Sequence, residues 1–388
     1  MIPGVDLLIG DCRERLRDLP DESIHCVVTS PPYYGLRDYG TASWEGGAAD
    51  CDHGVSRWEG EKQTQGAQQS GHAAKADRLD RLDRLDRKTC AHCGAIRIDR
   101  QIGLEEDITS FIQALVEVFR EVRRVLRRDG TLWVNIGDSY LNQRGNGFNG
   151  NSRLPDRDKD VARRGAPEIK PKNIAGIPWR LAFALQEDGW YLRQDIIWAK
   201  PNPMPESVKD RCTKAHEYVF LLSRSERYFY NHKAVMEDAV GGARRGNANS
   251  FRREGSKRGQ VIPSARSATH RPDRPDINYD GPKRGRRSVW SIPTKPYSGA
   301  HFATFPPELI EPCILAGCPE GGVVLDPFGG SGTTAGVALR HGRRAILIEL
   351  NPSSVDERRI LEIANSTPPD AGLDQLRKHP SLFGEIAP

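Results

Sequence analysis

The chain has 388 residues, of which 37% are hydrophobic, and this is enough for one large domain with insertions or for two domains. No apolar run approaches the length of a membrane span, and the first residues lack the basic and apolar regions of a secretory signal, so we expect a cytoplasmic protein that does not bind membranes. The formal net charge is only +5, but residues 241–290 contain 13 Lys or Arg against 4 Asp or Glu. This local excess favours either a solvated loop or a surface that contacts phosphates.

The chain begins with a strand–helix–strand rhythm that predicts a parallel α/β sheet. Residues 5–9 form the first predicted strand, residues 12–19 a short amphipathic helix, and residues 24–28 a second, buried strand. Ligands gather at the carboxyl ends of the strands in such sheets. Asp11 and Ser30 both fall at that end, so we expect them near a ligand.

The second strand runs into an unusual turn, Ser30-Pro31-Pro32-Tyr33. Two prolines remove two backbone donors and stiffen the turn, so its carbonyl oxygens stay free to accept hydrogen bonds. A hydroxyl group precedes the prolines and an aromatic ring follows them. This combination suits a flat ring that carries an NH2 group, although a proline-rich strand exit with a packed tyrosine has the same pattern.

Residues 37–105 interrupt the rhythm with a polar stretch of little periodicity. The stretch holds Cys-x-His at positions 51–53 and Cys-x-x-Cys-Gly at positions 90–94. The second pattern is typical of a zinc knuckle, and the first would complete a tetrahedral, structural site. Four unconnected polar-loop residues are the alternative. The predicted ligands are Cys51, His53, Cys90 and Cys93, with His72 or His92 as weaker substitutes for the histidine.

The α/β pattern resumes at residue 107 and continues to about residue 350. Apolar residues at helical spacing or in short buried runs predict these elements. The predicted helices are 108–126, 178–188, 308–316 and 335–341. The predicted strands are 131–136, 191–198, 216–222, 323–326 and 345–350. We expect residues 141–172 to form a loop on the same rim of the sheet as Ser30.

A Gly-rich turn follows the strand that ends at Asp326. It lacks the lysine of a Walker phosphate loop and has a different spacing from a dinucleotide-binding loop. Its pattern, D-x-F-x-G-x-G, fits an S-adenosylmethionine loop, in which glycines let the backbone approach the ligand. Glu349 ends the next strand and suits two ribose hydroxyls. A tight turn that packs a helix on a strand is the alternative.

The two motifs, in this order and with a basic segment between them, resemble the circularly permuted beta class of amino-methylating DNA methyltransferases. The resemblance covers most of the chain, and the Cys/His insertion is similar to one in some bacterial and phage members. It implies an α/β fold with a doubly wound, mostly parallel, seven-stranded type of sheet that carries insertions. It also implies site-specific methylation of DNA with S-adenosylmethionine as the methyl donor.

The resemblance implies a role for each residue of the two motifs. The Ser30 side chain and the Pro31 carbonyl would accept hydrogen bonds from the target amine, next to Pro32, and Tyr33 would stack on a base flipped from the duplex. Asp11 is expected near the cofactor adenine, and Phe302 and Thr304 at its methionine end. The cofactor-binding set is Asp11, Phe302, Thr304, Asp326, Phe328, Gly330, Gly332, Thr333 and Glu349.

The identity of the target base depends on Ser30. Family members with Ser-Pro-Pro-Tyr usually methylate the N4 amine of cytosine, and those with Asp-Pro-Pro-Tyr usually methylate the N6 amine of adenine. A hydroxyl can donate to a ring nitrogen or accept from an amine, and both bases offer both groups. The resemblance therefore favours cytosine N4, with adenine N6 as the alternative.

Two other classes of function also fit part of the pattern. Methyltransferases of RNA or of protein amides carry a Pro-Pro-Tyr motif, but after Asn and with the cofactor motif first. A non-enzymatic zinc-bearing DNA-binding module would not need an intact loop at 326–334. Comparing methyl transfer to DNA, RNA and protein separates these three classes.

The resemblance also implies an arrangement of segments and partners. The expected partners are double-stranded DNA with one flipped base, a cognate restriction endonuclease and, if the protein is not a monomer, a second copy in a homodimer. In a bacterial or phage-infected cell the protein would associate with the nucleoid. The expected segments are 1–36 with 106–237 (catalytic half), 37–105 (zinc insertion), 238–290 (target recognition), 291–365 (cofactor half) and 366–388 (tail).

Overall fold

A computed structural model describes most of the predicted α/β region and part of the insertion. The described residues are 2–35, 42–48, 50–51, 89–90, 92–105, 107–140, 169–170, 172–238, 283–295 and 304–366. Among them, no helix combines the length and the apolar character needed to cross a membrane.

The strands, in chain order, are β1 (Val5–Ile9), β2 (Ile24–Thr29), β3 (Ser43–Glu45), β4 (Ile96–Ile98), β5 (Leu126–Ile136), β6 (Tyr191–Ala199), β7 (His216–Ser223), β8 (Glu237–Asp238), β9 (Lys283–Arg284), β10 (Val289–Ser291), β11 (Val323–Asp326) and β12 (Arg344–Glu349). Eight of them form one sheet in the order β1-β12-β11-β2-β5-β7-β6-β10. The predicted mostly parallel sheet is therefore confirmed, and it gains an eighth, three-residue strand at one edge, β10, which its shortness hid from sequence analysis.

One strand of this sheet runs against the others. β7 pairs antiparallel with β5 and with β6, whereas β1, β12, β11, β2 and β5 pair in parallel and β10 pairs in parallel with β6. The amino end of β7 consequently lies at the edge where the other strands have their carboxyl ends. That edge is where a parallel sheet places its ligand sites.

Helices cover both faces of the sheet. They are α1 (Cys12–Arg15), α2 (Ile108–Val125), α3 (Ile177–Glu187), α4 (Pro307–Gly317), α5 (Thr333–Arg340) and α6 (Glu357–Asn365). The first three contribute to one buried hydrophobic cluster and the last three to a second one. Successive β2 residues alternate between them, with Val27 in the first cluster and Cys26 and Val28 in the second, because side chains of a strand point to opposite faces. The sheet is thus doubly wound.

Most predicted boundaries agree with the structure within two residues, but β5 begins five residues earlier than expected. It starts at Leu126, directly after α2, and Leu126 pairs with Ile24 of β2. The intervening residues Arg127, Arg128 and Asp129 are exposed, so they carry no apolar signal that would predict a strand. The start of β5 is set by backbone pairing with β2.

Candidate active site

A cavity of about 810 Å³ lies at the edge of the sheet where the parallel strands end. It brings together both sequence motifs, which lie about three hundred residues apart in the chain. The predicted site residues that line it are Ser30, Pro31, Pro32, Tyr33, Asp11, Thr304, Asp326, Phe328, Gly330, Thr333 and Glu349. Gly332 does not line the cavity. Phe302 lies outside the described part of the chain.

Asp326 joins the Gly-rich loop to β2. Its side chain accepts hydrogen bonds from Thr29 Oγ1 at 2.6 Å, from Thr334 Oγ1 at 2.7 Å and from the Phe328 amide at 3.1 Å. The residue is 1% exposed, and this burial raises the pKa of the carboxyl group from 3.8 to about 7 despite those bonds. Asp326 therefore links β2 to the Gly-rich loop and to α5, and it also lines the cavity.

Glu349, at the end of β12, holds the other side of the same loop. Its carboxylate accepts the Gly330 amide at 2.8 Å and the Asn351 amide at 3.0 Å. Burial raises the pKa of this group above its usual value, although these bonds act in the opposite direction. Each carboxylate oxygen has one such partner and a further lone pair, so both remain able to accept from a ligand hydroxyl.

Gly332 shapes the loop where the loop becomes a helix. It is the N-cap of α5 and has a φ of +81°, in the left-handed region that side chains disfavour. A Cβ at this position would lie 2.5 Å from Cδ1 of Ile360 in α6. Glycine is required here for the backbone conformation and for the close approach of α6.

Asp11, which follows β1, caps α1 and is paired with a cation. Its carboxylate accepts the Arg13 amide at 2.9 Å and forms an ion pair with the Arg13 guanidinium at 2.5 Å. Burial alone would raise the pKa of Asp11, but the bonds with Arg13 outweigh it and lower the pKa. Asp11 therefore enters the cavity wall as an anion.

The other end of the cavity contains a polar network that sequence analysis did not find. The Tyr33 hydroxyl donates to Oε2 of Glu217 at 2.7 Å, and the Asn135 amide donates to the same oxygen at 3.3 Å. The Lys200 ammonium pairs with Oε1 of Glu217. All these residues line the cavity beside Ser30.

The positions of these residues follow from the sheet. Asn135 lies near the carboxyl end of β5, Lys200 follows β6 directly, and Glu217 is the second residue of the reversed strand β7. The sequence feature that could have pointed to these three residues is their position at the ends of predicted strands. What the sequence did not show was the direction of β7, which brings its amino end to this edge.

The ring of Tyr33 is held against a glycine. A Cβ at Gly137 would lie 2.7 Å from Cε2 of Tyr33, so only glycine admits the ring in this position. Burial, the Glu217 charge and the bond to Glu217 raise the pKa of Tyr33 well above its usual value, and a side-chain hydrogen bond from Ser30 acts in the opposite direction. Tyr33 is therefore a neutral phenol whose proton points to Glu217.

Three of the four predicted zinc ligands lie together in the insertion. The Sγ atoms of Cys51, Cys90 and Cys93 are all within 4.8 Å of one another, and those of Cys51 and Cys90 are 3.8 Å apart. The fourth predicted ligand, His53, lies outside the described residues. The backbone of the knuckle is turned at Gly94, whose φ is +75° and whose amide donates to the Cys90 carbonyl oxygen.

Most of the basic segment, residues 239–282, lies outside the described residues. Its described end pairs with the chain that enters the segment. β9 is antiparallel to β8, and Arg284 and Arg287 both form ion pairs with Glu237 of β8. The described residues on the two sides of 239–282 are thus joined in a two-stranded ribbon.

Comparison with known proteins matches the chain over most of its length. The N6/N4 methyltransferase family model, described as DNA methylase, matches residues 24–360. The type II methyltransferase M.Cfr9I of Citrobacter freundii is 42% identical over 359 residues, which cover 91% of this chain and 86% of that protein. M.SmaI of Serratia marcescens, another type II methyltransferase, is 39% identical over 366 residues and covers 92% and 90% of the two chains.

A solved structure shares the fold. The PvuII DNA methyltransferase, described as cytosine-N4-specific, superposes with a TM-score of 0.51 at 16% sequence identity, over 97% of this chain and 93% of that one. At this identity the likeness concerns the fold alone. The extent of the family match and the identity to the curated relatives establish that the chain belongs to the DNA methylase family of N6 and N4 methyltransferases.

Proposed function

We propose that this DNA methyltransferase transfers a methyl group from S-adenosylmethionine to the N4 amine of cytosine in duplex DNA. The observation that carries the proposal is that the Ser-Pro-Pro-Tyr turn and the loop after Asp326 line one cavity. One motif supplies acceptors for an NH2 group, and the other supplies the buried carboxylates and glycines that suit a nucleoside cofactor. Methyl transfer requires the target base and the cofactor to be bound next to each other.

The chain's own residues contribute mainly by alignment. When bound, S-adenosylmethionine supplies a methyl group on a sulfonium, which makes it reactive toward a nitrogen lone pair. The lone pair of the target amine is delocalised into its ring. The Ser30 hydroxyl and the Pro31 carbonyl would each accept one amine hydrogen and so favour a tetrahedral nitrogen, in which the lone pair is localised. Methylation of carbon 5 would require a cysteine nucleophile, and no Pro-Pro pair in the sequence is followed by Cys.

The choice of cytosine N4 over adenine N6 rests on Ser30 in the position where many N6 enzymes have Asp. The deciding experiment incubates the protein and labelled S-adenosylmethionine with plasmid, RNA and protein, and identifies the nucleoside product of digested plasmid by mass. N4-methylcytosine is the expected product. N6-methyladenine would replace the base assignment by its alternative, and label in RNA or protein alone would overturn the proposal.

We assign DNA contacts to the basic segment. Residues 238–290 would form the target-recognition region, in which Lys and Arg bind phosphates and a few side chains contact base edges. The remaining divisions of the chain are proposed at the boundaries 1–36, 37–105, 106–237, 291–365 and 366–388. A restriction endonuclease of the same specificity is the proposed partner, since the curated relatives are type II methyltransferases.

We also propose that the cysteine cluster of the insertion binds zinc. A tetrahedral zinc site with Zn–S bonds of about 2.3 Å places its sulfurs about 3.8 Å apart, which is the separation of the Cys51 and Cys90 sulfurs, 3.8 Å. The insertion has few buried apolar residues among those described, so a metal would supply its folding energy. His53 is the proposed fourth ligand.

The zinc knuckle would act on the active site through the segment that follows it. Arg100, Gln101 and Ile102 line the cavity, and the Gly35 amide donates to the Gly103 carbonyl oxygen at 2.8 Å. The insertion thus supports the turn that carries Ser30. A structural role is proposed, because four protein ligands leave zinc no open position.

Purified protein is expected to contain about one zinc per chain by elemental analysis, and the double variant Cys90→Ser/Cys93→Ser about none, because removing two thiolates leaves too few ligands. The variant should also lose thermal stability. Cys212→Ser is the control, since Cys212 is exposed and lies outside the cluster. Wild-type protein with no zinc, or a variant with unchanged zinc, would contradict the site.

Binding of S-adenosylmethionine is expected to weaken as the pH falls below 7. Burial raises the pKa of Asp326 to about 7, so the group is largely protonated at pH 6 and largely ionised at pH 8. A cationic ligand favours the ionised form, so affinity should rise through pH 7 and level off near pH 8, with a difference of about tenfold between pH 6 and pH 8. Calorimetric titration at both values measures it.

The control for this pH dependence is Asp326→Asn, which keeps the size of the side chain and removes the ionisation. Glu349, whose pKa burial also raises, is unchanged in the variant. The pH dependence should therefore disappear in Asp326→Asn. A dependence that persists there would assign the effect to Glu349 or another group.

A further inference from the structure

A chain of hydrogen bonds leads from the amine-binding turn to a carboxylate. The Tyr33 hydroxyl donates its single proton to Oε2 of Glu217 at 2.7 Å, so in its side-chain hydrogen bond with Ser30 the Ser30 hydroxyl is the donor. Both hydroxyl protons then point away from the cavity mouth toward Glu217. The lone pairs of Ser30 Oγ remain free to accept a hydrogen from a ligand in the cavity.

Besides Tyr33, groups on two neighbouring elements hold Glu217 in place. Asn135 of β5 donates to Oε2 at 3.3 Å and also to the Tyr218 carbonyl oxygen at 3.2 Å, so its amide is fixed between two acceptors. Lys200, which follows β6, pairs with Oε1 while its ammonium lies 4.3 Å from the centre of the Trp198 ring.

The charged and titratable groups that face Glu217 are few among the described residues. They are Tyr33 from the amine-binding turn, Lys200 after β6, and Lys214, which lies before β7 and interacts electrostatically with Glu217. Both lysines are cations that stabilise the carboxylate before reaction. The Glu217 side chain is 15% exposed and lines the cavity, so solvent can remove the accepted proton from the carboxyl group between turnovers.

Methylation of an amine creates a proton that must leave. When the nitrogen lone pair forms the N–C bond and the C–S bond breaks with its electron pair going to sulfur, the nitrogen becomes a cation with two hydrogens. To bind this proton itself, Tyr33 would first have to be a phenolate. Burial and the charge of Glu217 raise the pKa of Tyr33, so its hydroxyl stays protonated. A carboxylate at the end of the chain can accept a proton without building a new charge in the cavity.

We propose that Glu217 is the proton acceptor for methyl transfer, reached through the hydroxyls of Ser30 and Tyr33. One amine proton passes to Ser30 Oγ, the Ser30 proton to Tyr33 Oη, and the Tyr33 proton to Oε2 of Glu217. The products are a neutral methylamine, two unchanged hydroxyls and a neutral carboxylic acid. This inference rests on the proposed function, because it assigns a route for the proton of that reaction.

A purely structural role for Glu217 is the competing explanation, and Glu217→Gln separates the two. The glutamine oxygen can still accept the Tyr33 and Asn135 hydrogen bonds, and only the Lys200 contact is lost, so the turn keeps its position, but the amide cannot take a proton at neutral pH. Tyr33→Phe interrupts the route at its middle and leaves the carboxylate. Glu121→Gln is the matched control, because Glu121 also pairs with a basic side chain, Arg124 at 2.9 Å, but on α2 away from the cavity.

The experiment measures single-turnover methylation of duplex DNA at saturating cofactor and neutral pH. Glu217→Gln and Tyr33→Phe should each lower the rate by about 10²–10⁴-fold, as expected for loss of a proton acceptor, and the double variant should be no slower than the slower single variant. Cofactor and DNA dissociation constants, and the Glu121→Gln rate, should stay within about threefold of wild type.

Two results would overturn the proton route. The first is a Glu217→Gln rate within threefold of wild type, and the second is a loss that appears in the dissociation constants instead of the rate. Each of these leaves methylation by the wild-type protein intact. Failure of the proposed function would appear differently, as absence of methylated DNA with the wild-type protein itself.

Discussion

Replacement of Ser30 by alanine is expected to lower the rate of methyl transfer by about 10²–10³-fold, the usual effect of removing one group that stabilises a transition state. The variant loses the hydroxyl that accepts an amine hydrogen and begins the route to Glu217, but it keeps both prolines and their carbonyl oxygens. Asp326, which precedes the cofactor loop, accepts its hydrogen bond from Thr29, which is unchanged. Cofactor affinity should therefore stay within about twofold of wild type, measured by calorimetry beside single-turnover rates.

Ser23→Ala is the matched control for this prediction. Ser23 lies just before β2, at the end opposite Ser30, and its hydroxyl donates to the Pro20 carbonyl oxygen at 2.7 Å. Its removal should leave the rate unchanged. A Ser30→Ala protein that transfers methyl groups at the wild-type rate, or that fails to bind cofactor, would remove Ser30 from the catalytic group.

Gly332→Ala is expected to damage both the fold and the cofactor site. A side chain at a φ of +81° costs about 1–2 kcal/mol. The added Cβ would also lie 2.5 Å from Cδ1 and Cγ1 of Ile360, and such overpacking costs typically about 1–3 kcal/mol. Because Ser331 and Thr333 on either side line the cavity, a shift of the loop should weaken cofactor binding by at least about tenfold, the effect of a loss of 1.4 kcal/mol.

Gly321→Ala separates the two contributions. Gly321 has a φ of +72°, but a Cβ there would meet nothing within 4 Å. The control should thus show the backbone cost alone, with unchanged cofactor affinity. Urea unfolding of both variants measures the free energy of unfolding. If Gly332→Ala is no less stable than Gly321→Ala, the contact between the loop and α6 does not restrict this position.

Local patterns were sufficient to predict most of the secondary structure. The apolar run of β2 and the helical spacing in α2 each gave an element whose ends agree with the structure within about two residues. The Gly-rich turn between β11 and α5 was also predicted as a turn, and the structure shows Gly332 there with a φ of +81°. These features depend on neighbours a few positions apart, which is why a sequence alone contains them.

Several contacts between distant segments were not predicted. Glu217 lies 184 positions after Tyr33, and nothing in the pattern around His216-Glu217 distinguishes this glutamate from one on a solvated strand end. The bond from Thr29 to Asp326 spans 297 positions. It makes Asp326 a junction of the fold, whereas sequence analysis assigned it to the cofactor alone.

The sequence by itself determined the class of fold, the two motifs and their order, because periodicity and turn chemistry are local properties of the chain. The tertiary structure decided which side chains meet. β7 pairs antiparallel with β5 and β6, and this reversal brings Glu217 to the edge where Ser30 and Asp326 lie. Strand direction is set by burial of the whole sheet between two helical layers. The free energy of this burial comes from residues in many parts of the chain.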